Sequence, residues 1–207
     1  MATDKREQLL TAAEELFGEK GFEGTSTRML AQKAHMNVAM VSYYFGSKEK
    51  MFEELVRRKT EKTGIVIDRA EEEMKNPVEK MEVIIDVFVE NIMTYRRFHR
   101  IMWRELTLDQ RPELNEKIGE LLFQNKRKIY KIIEQGIKSG YFRKVDIDLS
   151  ITSIFGTINS LLISEKLTLR MSGKKNVNQL YPSLLVRLKA YLKDWLYVYL
   201  SVKRKVR

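Results

Sequence analysis

No cysteine occurs in the 207 residues of this chain, so neither a disulfide framework nor a thiolate metal site is available to it. Histidine is almost as scarce. His35 falls in a predicted turn and His99 sits among Arg96, Arg97 and Arg100; neither has a ligand or catalytic partner nearby in sequence, which points to surface roles. The longest uncharged run, Leu149 to Ser164, contains Thr, Ser, Gly and Asn and stops short of the roughly 20 apolar residues that span a bilayer. The opening MATDKREQ leads into an amphipathic helix without the apolar core of a signal peptide, so a cytoplasmic protein without a membrane partner is expected. Strand-like alternation, internal repeats and low-complexity tracts are missing too. No glycine-rich phosphate loop is found, nor any convergent nucleophile, base and orienting group. The chain is therefore expected to have no catalytic or metal site, no cofactor and no enzymatic activity. What remains is a helical period throughout, which predicts an all-α fold.

The densest signal lies between Thr25 and Lys50. Met29, Leu30 and Ala34 give one apolar face to a short helix opened by the hydroxyls of Thr25, Ser26 and Thr27. His35-Met36-Asn37 turns the chain, and Asn37 is placed to cap a second short helix starting at Val38. Val38, Val41 and Phe45 follow at i, i+3 and i+7 and should pack inward. Ala39, Met40 and Tyr43 then point outward with Ser42 at the border, the surface of a recognition helix that enters the major groove. Gly46-Ser47 stops this helix. Ser47 can cap the next, whose first residues Lys48, Glu49 and Lys50 offer amides and ammonium groups at a helix N-terminus to phosphate. Upstream, Asp4-x-x-Glu7 resembles a capping box ahead of Leu9, Leu10, Ala13, Leu16 and Phe17, and Gly21 closes that helix. Three helices thus share one small core, as in a helix-turn-helix reader of DNA.

These residues resemble the N-terminal pattern of the TetR family of transcriptional regulators. The matches are Phe17 to Phe22, Thr25, Thr27, Ala31, Ala34, Tyr43, Phe45, Ser47, Lys48 and Glu49, covering about the first quarter of the chain. Departures are His35 where glycine is usual, Ser42 where an aromatic is common, and Lys50 where an acidic residue would complete a capping box. The resemblance implies a homodimeric repressor that binds a palindromic double-stranded operator. It implies backbone contacts from Thr27, Tyr43, Tyr44 and Lys48, with Arg28, Asn37, Ala39, Met40 and Ser42 nearer the bases.

Net charge is +10, yet residues 1–50 hold seven Lys or Arg and seven Asp or Glu, leaving that module neutral. The excess lies in Arg96, Arg97, Arg100 and Arg104, in Lys126, Arg127, Lys128 and Lys131, and in the tail Lys203-Arg204-Lys205-Val206-Arg207. Either these are solvated faces or they make a second contact with DNA or another anionic partner.

Beyond Lys48 the helical period continues. A fourth helix carries Met51, Phe52, Leu55 and Arg58 through Gly64 to about Lys75, with Gly64 either a soft point or a tolerated glycine. Asn76-Pro77-x-Glu79 caps the next helix, whose stripe is Ile84, Val87, Phe88, Asn91 and Tyr95. A shorter helix spans about Phe98 to Leu106, Pro112 opens a long one ending near Gly140, and Asp146 or Asp148 starts another carrying Ile151, Ile154, Phe155, Ile158 and Leu162. A loop from Ser172 to Asn176 precedes a last helix of about 20 residues. Its band of Leu184, Leu185, Leu188, Tyr191, Leu192, Trp195, Leu196 and Tyr199 is too wide for one partner helix. Association through Ile151, Phe155, Leu188, Tyr191, Leu192, Trp195 and Tyr199, with Gly156 and Ser160 permitting close approach, is one reading and an intramolecular core is the other. The amides of Asn91, Asn125 and Asn159, with Phe88, Tyr95 and Trp103, mark a candidate site for a small, largely apolar effector; amides bonded to backbone or turned to solvent are the alternative.

The expected architecture is a three-helix DNA-binding module over residues 1–47 joined to a helical effector-binding and dimerisation domain over 48–207. A one-component regulator of transcription follows from it. The competing reading is a basic helical scaffold at membranes or on partner helices.

Overall fold

The computed structural model describes the backbone of residues 2–202 and the side chains of residues 5–202. Ten α-helices follow one another among the described residues: α1 (Ala2–Lys20), α2 (Thr27–Lys33), α3 (Val38–Phe45), α4 (Lys48–Glu73), α5 (Pro77–Thr94), α6 (Arg96–Leu108), α7 (Pro112–Lys138), α8 (Ile147–Ile163), α9 (Glu165–Ser172) and α10 (Val177–Trp195), with a π-helical turn over Leu196–Leu200. The all-α expectation holds.

Local chemistry sets the helix ends. Asn76 Oδ1 accepts from the Val78 amide at 2.9 Å with Pro77 in the first turn. Asp146, not Asp148, caps α8 by accepting from the Leu149 amide at 2.9 Å. Asp4 lies inside α1 rather than at its cap, and its side chain is outside the described residues. The expected continuous helix after Asp146 breaks at Ser164, where α8 and α9 meet at 92°. Thr168 Oγ1 donates to the Leu161 carbonyl at 3.0 Å and Tyr181 Oη to Glu165. Those tertiary bonds satisfy the break, and no local periodicity announces them.

Two compact units result, Met1–Glu61 with Arg97–Leu122 and Lys62–Arg96 with Phe123–Arg207. In the first, buried Leu9, Ala13, Leu16, Phe17, Leu30, Val41, Met51, Phe52, Phe98 and Met102 form the interior. The rings of Phe17, Phe22, Phe52 and Phe98 meet in sequence at centroid distances of 5.2 to 5.5 Å. Glu54 receives Arg6, Arg57 and Arg58. Burial opposes its ionisation, but the three guanidiniums outweigh it and hold the carboxyl at about 2. His99, expected at the surface, has its Nε2 buried without a hydrogen-bond partner. Burial, and then the Lys59 ammonium, lower its pKa to about 4.

In the second unit α10 packs on α5. Leu184, Leu188, Leu192, Leu196 and Leu200 join Ile84, Ile85, Val89, Ile92, Ile133, Ile151 and Ile158 in one core. Lys193 to Asp86 at 2.5 Å, and Tyr197 Oη to Glu82 at 2.9 Å, tie α5 to α10 and to the π-helical turn that follows it. Gly136 is required by close approach, since a Cβ there would stand 2.2 Å from the Phe142 ring. At Gly64 a Cβ would meet Asn125 Oδ1 at 2.9 Å, the end of a side chain that can turn aside.

His99 takes up a proton near 6.5 when exposed and near 4 in the fold, so the unfolded chain binds more protons between those values. Stability should be flat above pH 6.5 and fall as pH drops from 6.5 towards 4. Glu54, lowered from 4.5 to about 2, adds a separate loss below 4.5. His99→Gln should abolish the upper loss alone. Denaturant midpoints at a series of pH values test this, and parallel curves for the two proteins would show that His99 is not the group responsible.

Candidate nucleic-acid interface

The turn before α2 shows how the reading surface is assembled. Ser26 is the cap, accepting from the Met29 amide at 3.2 Å. Thr25, expected to share that task, is instead fully buried and donates to the Leu16 and Gly21 carbonyls at 3.2 and 2.8 Å. Its hydroxyl locks the end of α1. His35 takes φ +54 in the inter-helix turn, while the Met36 amide reaches the Ala31 carbonyl at 2.8 Å. Histidine tolerates this left-handed geometry better than β-branched residues do, so the turn forms without glycine. Asn37 Oδ1 then accepts from the Ala39 amide at 3.0 Å and starts α3.

On α3, Val41 and Phe45 are buried as expected, but Val38 is 40% exposed. It sits at the first helical position, before the helix reaches the core. Arg28, Asn37, Ala39, Ser42 and Tyr43 are exposed, whereas Thr27, Met40 and Tyr44 are half-buried. Tyr43 stands 78% exposed with its ring 5.0 Å from that of Tyr44. Gly46 at φ +77 ends the helix, and Ser47 Oγ accepts from the Lys50 amide at 3.2 Å. That leaves the first amides of α4 without helical acceptors.

Lys48 departs from expectation. Its ammonium is not directed to solvent for a phosphate but donates to the carbonyls of Phe22 and Thr25, both at 3.0 Å. The two carbonyls lie at the end of α1 and before α2, where helical partners are lacking, and a cation satisfies them.

The other expected sites are only partly brought together. Phe88, Asn91, Tyr95, Asn125 and Asn159 belong to the second unit, while Trp103 belongs to the first. The six therefore form no single cluster inside either unit. Asn91 Nδ2 donates to Thr63 Oγ1 at 3.0 Å. Phe88 meets Phe155 edge-on at 4.5 Å, and Lys126 Nζ lies 5.4 Å from the Phe155 ring centroid, an ammonium that the helical stripes did not predict. Among the residues expected at an association surface, Ile151, Leu188 and Leu192 are spent in the core of one chain because α10 lies on α5. Phe155, Trp195 and Tyr199 are half-buried, and Tyr191 is 55% exposed.

A cleft of about 540 Å³ opens within the first unit between the start of α4 and the start of α7, lined by Lys50, Glu53, Arg111, Glu113 and Lys117 among others. Its alternating charges do not suit an apolar effector. Of the clustered cations, Arg97, Arg104, Arg127 and Lys131 are exposed, Arg96 stacks on Tyr181 at 4.2 Å, and Lys128 pairs with Asp68 at 2.6 Å. The basic tail after Val202 lies outside the described residues.

A family model described as bacterial regulatory proteins of the tetR family matches residues 9–55, and one described as the tetracyclin repressor-like C-terminal domain matches residues 74–162. The probable HTH-type transcriptional regulator YttP of Bacillus subtilis is 31% identical over 142 residues, covering 67% of each chain. The TetR-family regulator PfmR of Thermus thermophilus shares the fold at a TM-score of 0.73 and 22% identity, over 95% of this chain and 99% of its own. The regulator FadR of Bacillus subtilis, solved in complex with stearoyl-CoA, gives a TM-score of 0.69 at 26% identity, over 90% of this chain and 96% of its own. None of these likenesses favours a basic scaffold. With a capped, two-sided recognition helix behind its turn, family models matching residues 9–55 and 74–162, and a relative 31% identical over two thirds of both chains, the chain belongs to the TetR family of ligand-responsive transcriptional regulators.

Proposed function

We propose that the protein is a homodimeric repressor that holds a palindromic operator and releases it when a small amphiphilic, largely apolar effector binds among α5, α7 and α8. The observation that carries the DNA half is the two-sidedness of α3, with Val41 and Phe45 sealed inside and Ala39, Ser42 and Tyr43 outside. Such a helix suits the major groove. Thr27, Tyr43, Tyr44 and the backbone amide of Lys48 then face phosphates, while Arg28, Asn37, Ala39, Met40 and Ser42 lie nearest the bases. Residues 1–47 supply the reading surface; residues 48–207 supply effector response and association.

The aromatic pair Phe88 and Phe155 offers an apolar wall, Asn91 and Asn159 offer amides about one turn away on the same helices, and Lys126 brings an ammonium from α7. The complex of FadR with stearoyl-CoA supports an acyl-chain ligand of this type. Release requires only that the effector bind the two operator-spacing states unequally. Helix α4 contributes residues to both compact units, so displacing its later half would also displace its first turns. Fluorescence polarisation of a duplex selected by the protein from a random library should fall on adding stearoyl-CoA and hold steady with free coenzyme A. A duplex that stays bound with both would remove acyl thioesters from the reading.

Association fits the faces of α8 and α10 left outside the core. Val186 and Tyr191 on α10 and Val198 in the π-helical turn after it are exposed, and a Cβ on Gly156 would meet nothing within 4 Å. Gly156→Leu should therefore leave the monomer folded yet keep partner helices apart, giving a monomer in sedimentation with native helicity. Leu188→Lys should unfold the chain instead. A Gly156→Leu protein that still sediments as a dimer would place the interface elsewhere.

On the reading surface, Met40→Gln should change the preferred base, exchanging an apolar contact with a thymine methyl for an amide suited to adenine. An operator profile identical to that of the parent protein would take Met40 off the base-reading surface.

A further inference from the structure

Two cations share one phenyl ring in the first unit. Phe22, in the turn between α1 and α2, is 1% exposed. Lys48 Nζ lies 4.3 Å from its ring centroid and Arg111 Cζ lies 4.5 Å from it. Two N–H groups of the Lys48 ammonium are already on the Phe22 and Thr25 carbonyls, and its remaining donor has the π face beside it. Arg111 is held in turn by Glu105, itself 5% exposed, at 2.8 Å, and by Glu23. Asn115 Nδ2 braces the same corner through the Glu105 carbonyl at 3.3 Å and Asp109 Oδ1 at 2.8 Å.

This arrangement fastens both ends of the reading motif. The Phe22 turn leads directly into the Ser26 cap of α2, and Lys48 opens α4 two residues after Gly46 ends the recognition helix. A bond from Lys48 back to the turn therefore fixes where α3 ends relative to where α2 begins. We propose that Lys48 and Arg111 are positioning residues for operator binding, acting through the Phe22 turn and making no phosphate contact with their side-chain charges. The inference rests on the DNA-binding reading of α2 and α3. Preorganisation of that pair lowers the ordering cost of binding, so loosening it weakens affinity without removing a counterion-releasing contact.

Salt dependence separates this role from a phosphate contact. Operator affinity of the full chain would be measured across a series of potassium chloride concentrations, using the duplex the parent protein selects from a random library. Lys48→Met and Arg111→Met should each weaken binding about tenfold, with the slope of log affinity against log salt unchanged. Arg111→Lys, which keeps a cation over the ring, should recover most of the loss. A slope reduced by about one in either methionine variant would make that residue a phosphate contact and overturn the proposal, as would undiminished affinity. Should Lys48→Met fail to fold, Lys48→Arg answers the same question. It keeps the charge but not the compact seat on two carbonyls, so weaker binding at constant slope supports positioning and full affinity overturns it. Failure of the parent protein to select any duplex would instead strike at the DNA-binding reading itself.

Discussion

Close packing of phenylalanine against phenylalanine is the constraint on which the DNA-reading half depends. Phe17 from α1, Phe22 from the turn, Phe52 from α4 and Phe98 from α6 meet in one chain of ring contacts. Phe17, Phe22 and Phe52 are the largest fully buried side chains of the unit, and their edge-to-face contacts fix angles as well as distances. A helix-turn-helix of only 7 and 8 residues cannot fold alone, because so short a helix does not repay its own nucleation. It borrows its rigidity from this cluster. That explains why residues 97–122 join the compact unit of α1 to α3 even though they lie far along the chain.

Charge is arranged around the aromatic cluster. Arg6 reaches Glu54 and also lies 4.9 Å from the Phe45 ring centroid at the end of α3. Lys59 pairs with Glu14 at 2.7 Å while lying 5.1 Å from the Phe98 ring centroid. Lys48 and Arg111 repeat the pattern at Phe22. Each of these cations joins a π face to an oxygen; Arg6 and Lys59 thereby link separate helices, while Lys48 and Arg111 hold the turn at Phe22. Exposed pairs such as Arg69 and Glu73 contribute little to stability by comparison.

In the second unit the same kind of side chain serves two demands. Leucines at 184, 188, 192, 196 and 200 recur every four residues and are all buried, which consumes one face of the C-terminal segment against α5. The faces left over carry Val186, Tyr191 and Val198 on that segment and Leu149 and Ile163 on α8. A broad apolar band on a helix states how much surface must be covered, not what covers it.

Helix ends were legible in the sequence because capping acts over two or three residues and needs nothing distant. Ser26, Asn37, Asn76 and Asp146 each open their helix with their own side chain. The recognition helix was legible for the same reason, apart from Val38, whose face was right but whose position precedes the core. Only the tertiary structure decided the roles of groups that act across the chain. Lys48 meets a carbonyl 26 residues away, Thr168 closes the break after α8, Gly64 meets Asn125, and the neutral ring of His99 lies within range of Lys59. None of these partners shares a helical period with the residue it meets. The sequence by itself determined where most helices start, though not the break at Ser164, and which face of α3 is turned inward. Which cations and which leucines are spent inside was settled by packing, since a long side chain takes whatever unsatisfied oxygen or apolar face the fold brings within its reach.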